Sequence, residues 1–365
     1  MSGLVLHVVG ARPNFPKFAP VWSALDSMGV QQFLVHSGQH YDGRMSARFF
    51  KDLSLPEPDA NLGVGSGSHA QQTAAVMVGL EPVLTQEAPA LVCVYGDINS
   101  TLGAALTAAK LMIPVAHVES GLRSFDRQMP EEVNRILTDQ VSELLFTTSA
   151  EAQVNLEREG IPENHIYFVG NTMIDSIVSV ERKLDSNSTR QKLWIPSEYC
   201  LVTLHRPSNV DDRDSVAELV TKLGSVSKEI PVVFPLHPRS QERFRESGLA
   251  EYPNIHVLDP LGYVDFLSLM KDALVVITDS GGVQEETTYF GVPCFTLRAN
   301  TERPVTITHG SNVLVERADL VTRVDEVRTD GFDSARSSSL RPYLWDGHAG
   351  ERVAKTISRW LEGNR

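Results

Sequence analysis

Leu274–Arg303 reads LVVITDSGGVQEETTYFGVPCFTLRANTER, and its reading decides the fold. The apolar run 274–277 has the length and branching of a buried strand. It turns polar at Thr278-Asp279-Ser280, meets two glycines, and continues from Val283 as a helix. Asp279 or Ser280 supplies the N-cap, and Gly281 and Gly282 let a ligand approach the backbone. A strand end feeding bare N–H groups at a helix N-terminus is a place to hold phosphate. Glu286, four residues after Gly282, shares its helix face. A carboxylate there repels phosphate but suits two neighbouring hydroxyls, as on a ribose, so the two features together describe a nucleotide. An ordinary strand–turn–helix, with Gly-Gly only making the turn, fits the same residues.

The pattern repeats outward from this stretch. Apolar strands are expected at 4–9, 32–36, 91–94, 114–118 and 144–148, and again at 200–204, 232–236, 255–258 and 293–297. Each ends in polar residues, and most are followed by a helical segment, which indicates parallel doubly wound sheets. Ligand groups in such sheets gather at the carboxyl ends of the strands. Two α/β domains follow: residues 1–172, closed by a C-terminal helix at 350–365, and residues 173–349. The polar segment 185–192 is expected between them, and the Ser-rich stretch 328–340 is expected as a loop.

The 365 residues suffice for two domains. With a net charge of −13 and no long Lys/Arg cluster, binding to nucleic acid or a membrane surface is not expected. Cys93, Cys200 and Cys294 lie far apart in apolar runs, without metal spacing, as small core residues of a reducing compartment. No basic leader or bilayer-length apolar run is seen, so a cytoplasmic location is expected.

Several strand ends carry chemistry-bearing residues. Arg12 and Lys17 follow the first strand, where two cations could meet a pyrophosphate or simply be solvated. Asp97 and Glu119 end strands, and Glu131 opens a helix after Pro130. Helix-start acids such as Glu131 and Glu132 often only complement the dipole. Crowded carboxylates raise one another's pKa, which suits general acid/base work. In the second half His205-Arg206 and His237 follow strands. No third ligand has a recognisable spacing, so no metal is expected. His205 and Arg206 suit anion binding or acid/base work. Arg303 could meet a phosphate or a sugar, or lie in an ordinary loop.

Taken in order, GARPNFPKFAPV, GQHYD, GDINST, HVESGLRSFDRQMPEEVNR, VGNTMIDSI, TLHRPSNVD and TDSGGVQEE…TERP closely resemble the non-hydrolysing bacterial UDP-N-acetylglucosamine 2-epimerases, from residue 4 to about 310. The resemblance implies the glycosyltransferase-B architecture: two Rossmann-like domains facing across a cleft, with the last helix packed on the first domain. It implies UDP on the second domain, the sugar facing the first, a homodimer, no cofactor, and a role in making precursors of surface polysaccharides. Ser280, Gly281, Gly282 and Glu286 would hold phosphate and ribose. Arg12 and His205 would line the diphosphate, with Lys17 near the sugar, and Arg206, His237 and Arg303 are further binding candidates. Asp97, Glu119 and Glu131 would be the catalytic acids, with His205 beside them. They would remove the proton on carbon 2 while UDP leaves carbon 1, giving a glycal, and then reverse the addition on the other face.

Some positions depart from the family pattern. Ser120 stands where Ala is usual, Ile98-Asn99 where a Thr pair is common, and Val305 where an acid is common. A regulatory UDP-sugar site would use Gln39, His40 and Gln71 or Gln72, but the Arg that accompanies them in the family is missing. Three rivals remain open on sequence: a hydrolysing enzyme, a glycosyltransferase on the same fold, and a UDP-sugar-binding regulator.

Overall fold

The computed structural model describes residues 3–39, 49–236, 238–331 and 341–364. The chain divides into two compact units, Met1–Val180 with Tyr343–Arg365, and Glu181–Pro342. Among the described residues no helix is long and apolar enough to cross a membrane.

The first unit is built on seven strands: β1 (Val5–Val9), β2 (Gln32–His36), β3 (Ala60–Asn61), β4 (Leu91–Tyr95), β5 (Val115–Ser120), β6 (Leu144–Thr147) and β7 (Ile166–Phe168). They lie in the order β3-β2-β1-β4-β5-β6-β7 and pair in parallel throughout. Every residue of β1 and β4 is buried, as strands covered by helices on both faces must be. The C-terminal helix Ala349–Gly363 belongs to this unit. Its stripe of Val353, Ile357 and Leu361 joins Phe15, Phe18, Val21 and Leu25 of the Phe15–Ser27 helix in one core cluster. Gly350 permits the approach, because a side chain there would begin 2.7 Å from the Pro20 backbone. Asp175 Oδ2 accepts a 2.6 Å hydrogen bond from the Gly350 N–H, satisfying one open donor of that helix start.

The second unit has six parallel strands: β8 (Cys200–Thr203), β9 (Val232–Pro235), β10 (Ile255–Leu258), β11 (Val275–Thr278), β12 (Cys294–Thr296) and β13 (Asn312–Leu314). Their order is β10-β9-β8-β11-β12-β13. Strand order reverses between β1 and β4 in the first unit and between β8 and β11 in the second. These are the places where doubly wound sheets open a crevice at their carboxyl ends.

Two local expectations change. The polar segment after Val180 is ordered: Asp185 caps the helix Ser186–Leu193, and the Ser186 hydroxyl donates to the Ser268 carbonyl of the same unit. The expected loop from residue 328 is helical at its start. The helix Leu320–Asp330 runs past Arg328 because Leu320, Val324 and Val327 form a buried stripe. Residues 332–340 lie outside the described residues.

Candidate active site

At the β1–β4 reversal, the turn after β1 is held by Asn14. Its Oδ1 accepts from the Gly10 N–H, and its Nδ2 donates to the Tyr95 carbonyl at the end of β4. Gly10 is required here, since a Cβ would lie 2.4 Å from both the Ser37 and Ser100 hydroxyls. Arg12 opens the short 3-10 turn Arg12–Asn14 that leads into the helix carrying Lys17.

Lys17 is buried, and its Nζ is ion-paired to Glu119 Oε2. Glu119 reaches it through an unusual backbone. Its φ is +71°, and the β5–β6 register shifts between Val118 and Ser120. A bulge of this kind re-aims a side chain at a strand end, at the cost of a left-handed conformation disfavoured for a residue with a Cβ. Gly96 lies directly beneath. A Cβ on it would sit 2.6 Å from Lys17 Nζ and 3.1 Å from Glu119 Oε2, and its own φ is +62°.

Asp97 follows Gly96. Its Oδ2 accepts from Arg135 Nη2 at 2.5 Å, while Arg135 Nη1 donates to Glu132 Oε2 at 2.6 Å. Glu132 also accepts from the Ser124 N–H, the Ser124 hydroxyl and the Phe125 N–H. It is therefore a brace for the loop after β5. Glu131, its neighbour, lies half-buried in the first turn of the helix Pro130–Gln140. Asp97 and Glu119 each meet a cation, so the crowding of carboxylates expected from sequence is relieved by ion pairing. The pairing sets a cation against each of the two acids.

Of the regulatory candidates, Gln39 is buried, and its Oε1 accepts from the Ser100 N–H and hydroxyl. Gln71 is exposed and forms a capping box with Ser68 at the start of the helix His69–Glu87. Gln72 is the buried one, bonded to the Gly65 carbonyl and to Asn99. His40 lies outside the described residues.

At the β8–β11 reversal the organiser is Asp279, read from sequence only as an N-cap alternative. Its buried carboxylate accepts from the His205 and Arg206 N–H groups at 3.1 and 2.9 Å, from Asn209 Nδ2 at 3.0 Å and from His205 Nδ1 at 3.0 Å. Burial pushes this carboxyl up, but His205, Asn209 and Arg206 outweigh it and hold it below the ordinary value. Arg206 Nε donates to the Asp279 carbonyl. The cap itself is Ser280, whose side chain makes no capping bond. His205 keeps most of its side chain exposed. His237 lies outside the described residues.

Gly281 begins the helix Gly281–Phe290, and its missing Cβ is used by the chain itself. Arg303 Nη1 would lie 2.3 Å from it and Glu302 Oε1 2.6 Å. Arg303 is buried and paired with Glu302 and Glu285, so this Arg is anchored in a network rather than lying in an ordinary loop. Glu286 is buried one residue further. Burial first, then the neighbouring Glu285, push its carboxyl up to about 8, with a hydrogen bond to Tyr263 opposing.

The sequence reading missed Asp279's ligand set, Arg135, Gly96 and Tyr263. Only Gly96 carried a signal, a glycine directly before a strand-end acid. The others act through partners far away in sequence.

The family model for UDP-N-acetylglucosamine 2-epimerase matches residues 23–358. The UDP-N-acetylglucosamine 2-epimerase of Methanocaldococcus jannaschii is 39% identical over 362 residues, covering 96% of this chain and 98% of that protein. The UDP-2,3-diacetamido-2,3-dideoxy-D-glucuronate 2-epimerase of Pseudomonas aeruginosa is 39% identical over 366 residues, covering 98% and 99%. A crystal structure of the M. jannaschii enzyme, in complex with UDP-GlcNAc and UDP, superimposes with a TM-score of 0.90 at 38% identity, covering 98% of this chain and 99% of that one. The pair of Rossmann-like folds is thus of the glycosyltransferase-B type, and the chain belongs to the UDP-N-acetylglucosamine 2-epimerase family.

Proposed function

We propose that this protein is an isomerase that inverts carbon 2 of a UDP-linked N-acetylhexosamine, interconverting UDP-N-acetylglucosamine and UDP-N-acetylmannosamine. The observation that carries this reading is the ion-paired Glu119 and Asp97 on either side of Gly96, at the carboxyl ends of β5 and β4. A carboxylate takes the proton from carbon 2 as the bond from carbon 1 to UDP breaks, leaving a carbon 1–carbon 2 double bond. UDP then adds back to carbon 1 while carbon 2 receives a proton on the opposite face. Carbon 2 is weakly acidic, so the step depends on stabilising the departing diphosphate. Arg12, His205 and Arg206, with the helix start at Ser280, Gly281 and Gly282, are assigned to that task. Glu286 is assigned to the ribose, and Lys17 and Glu131 to the sugar. His237 and Arg303 remain secondary binding candidates, the latter through its anchoring of the helix start.

The equal identity of the P. aeruginosa relative favours a second reading, in which the sugar is a diacetamido-uronate. Incubation of both UDP-sugars in deuterated water, followed by NMR, separates the two. The proposed reading expects deuterium at carbon 2 of UDP-GlcNAc and both epimers in solution. Free N-acetylmannosamine with UDP would instead indicate hydrolysis. Epimerisation without exchange would rule out proton abstraction. We also infer a cytoplasmic homodimer, supported by the family resemblance and checked for oligomeric state by sedimentation.

A further inference from the structure

Behind the two acids lies a buried polar group that the proposed chemistry does not use. His117 and Asp139 are both fully buried. His117 Nδ1 is 2.6 Å from Asp139 Oδ1, and its Nε2 is 2.8 Å from the Gly96 carbonyl oxygen. A carbonyl only accepts, so Nε2 carries a proton. Asp139 Oδ2 meanwhile accepts from the Gly121 N–H at 3.1 Å and meets Arg123 Nη2 at 2.7 Å. Arg123 is paired in turn with Glu159. Burial pushes the Asp139 carboxyl up, yet His117 and Arg123 together hold it below the ordinary carboxylate value. Nδ1 and Asp139 Oδ1 share the other hydrogen bond of the ring, so both ring nitrogens are engaged.

This placement joins the two acid-bearing loops. His117 sits on β5 two residues before Glu119, and its ring reaches the carbonyl of the residue before Asp97. The Gly96 N–H donates to the Val118 carbonyl, so Gly96 is fixed to β5 at both of its backbone groups. Asp139 grips the other side of the Glu119 bulge through Gly121, whose φ is +77°. Burying so much charge is costly unless it is fully paired, and here each member has partners.

We propose that His117, oriented by Asp139, is a positioning residue that clamps the Gly96 carbonyl and so fixes Asp97 relative to Glu119 for proton transfer. It does not touch substrate. The inference rests on the epimerase reading for its effect on turnover, but its geometry is tested separately.

The test compares two substitutions that divide the ring's donors. His117→Gln places an amide N–H near the Nε2 position and keeps the bond to Gly96. His117→Asn reaches only the Nδ1 position and loses it. A misplacement of about 1 Å can cost on the order of a hundredfold in rate. We expect His117→Asn to lower kcat by about tenfold or more with KM within about twofold, and His117→Gln to stay within about threefold of wild type. Wild-type kcat in the Asn variant, or equal losses in both, would overturn the proposal. If His117→Asn does not fold, His117→Gln decides alone: retained kcat supports the clamp and lost kcat overturns it. A nitrogen–proton NMR correlation of the wild-type ring needs no turnover. It should show Nε2 protonated, and a bare Nε2 would overturn the clamp even if the substrate assignment stands. An inactive wild type with Nε2 protonated would support the clamp and count against the substrate assignment alone.

Discussion

Lys17 and Glu119, 102 residues apart, form a buried ion pair in the space that Gly96 leaves by having no side chain. The pair joins the helix after β1 to the bulged end of β5. It binds one catalytic candidate to one cation before any substrate arrives. The cost of such burial is recovered only while both partners are present.

That dependence gives a first prediction. Lys17→Met leaves Glu119 buried without its cation and should destabilise the fold by about 3–5 kcal/mol. Adding Glu119→Gln removes the stranded charge, so the double variant should recover much of the lost stability without recovering turnover. Thermal unfolding and turnover measured on the same preparations check this. A double variant no more stable than Lys17→Met alone would show that the pair is not coupled.

Glu286 yields a pH prediction. Its folded-state value of about 8 lies above the ordinary 4.5. Below about pH 4.5 both folded and unfolded states hold the proton, and its contribution to stability is complete. Between about 4.5 and 8 the unfolded chain releases the proton first, so stability falls as pH rises. Glu286→Gln cannot titrate and should lose this slope, unfolding at a higher temperature than wild type at pH 8 but not at pH 4.5. Parallel melting curves for the two proteins across that range would count against a buried, proton-holding Glu286.

Much of the fold was legible because parallel strands buried on both faces read as unbroken apolar runs, as at Leu91–Tyr95 and Val275–Thr278. The helix His69–Glu87 was not read. Its buried stripe of Gln72, Val76, Leu80 and Leu84 is narrow, begins with a polar residue and is interrupted by Pro82. The acids were legible as strand-end residues, but their partners were not. Arg135 is 38 residues from Asp97, and Asp279 is 74 from His205. Only the strand order brings such residues together, and spacing along the chain does not encode it. Gly281 was read as letting a ligand approach the backbone, and its second use was not legible: a Cβ there would meet Arg303 and Glu302, which are distant in sequence.

Asp279 gives a prediction for the proposed diphosphate-binding loop of the second unit. Asp279→Asn turns one acceptor oxygen into a donor facing the His205 and Arg206 N–H groups and Asn209. The loop carrying His205 and Arg206 should lose its fixed position. A hydrogen bond to a charged group contributes about 1.5–3 kcal/mol, so affinity for UDP should fall about tenfold or more. Calorimetry on the folded variant decides it. Unchanged affinity would mean that this loop does not meet the diphosphate.

The acids themselves give the last prediction, from Asp97→Asn, Glu119→Gln and Glu131→Gln made singly. Each keeps size and hydrogen-bonding capacity but cannot carry a proton through the reaction. General acid/base catalysis contributes about a hundredfold or more, so each variant should lose turnover on that scale while still binding substrate. Stability should separate them. Glu119→Gln strands the buried Lys17 and should cost the most. Asp97→Asn leaves Arg135 still paired with Glu132, and so should cost less. Glu131→Gln, at a half-buried helix start, should leave thermal unfolding almost unchanged. A variant that accumulates glycal and UDP would identify the acid that returns the proton, because elimination would proceed without readdition. If all three epimerise near the wild-type rate, the ion pairs at Gly96 serve the fold alone and the proton must be taken by another group.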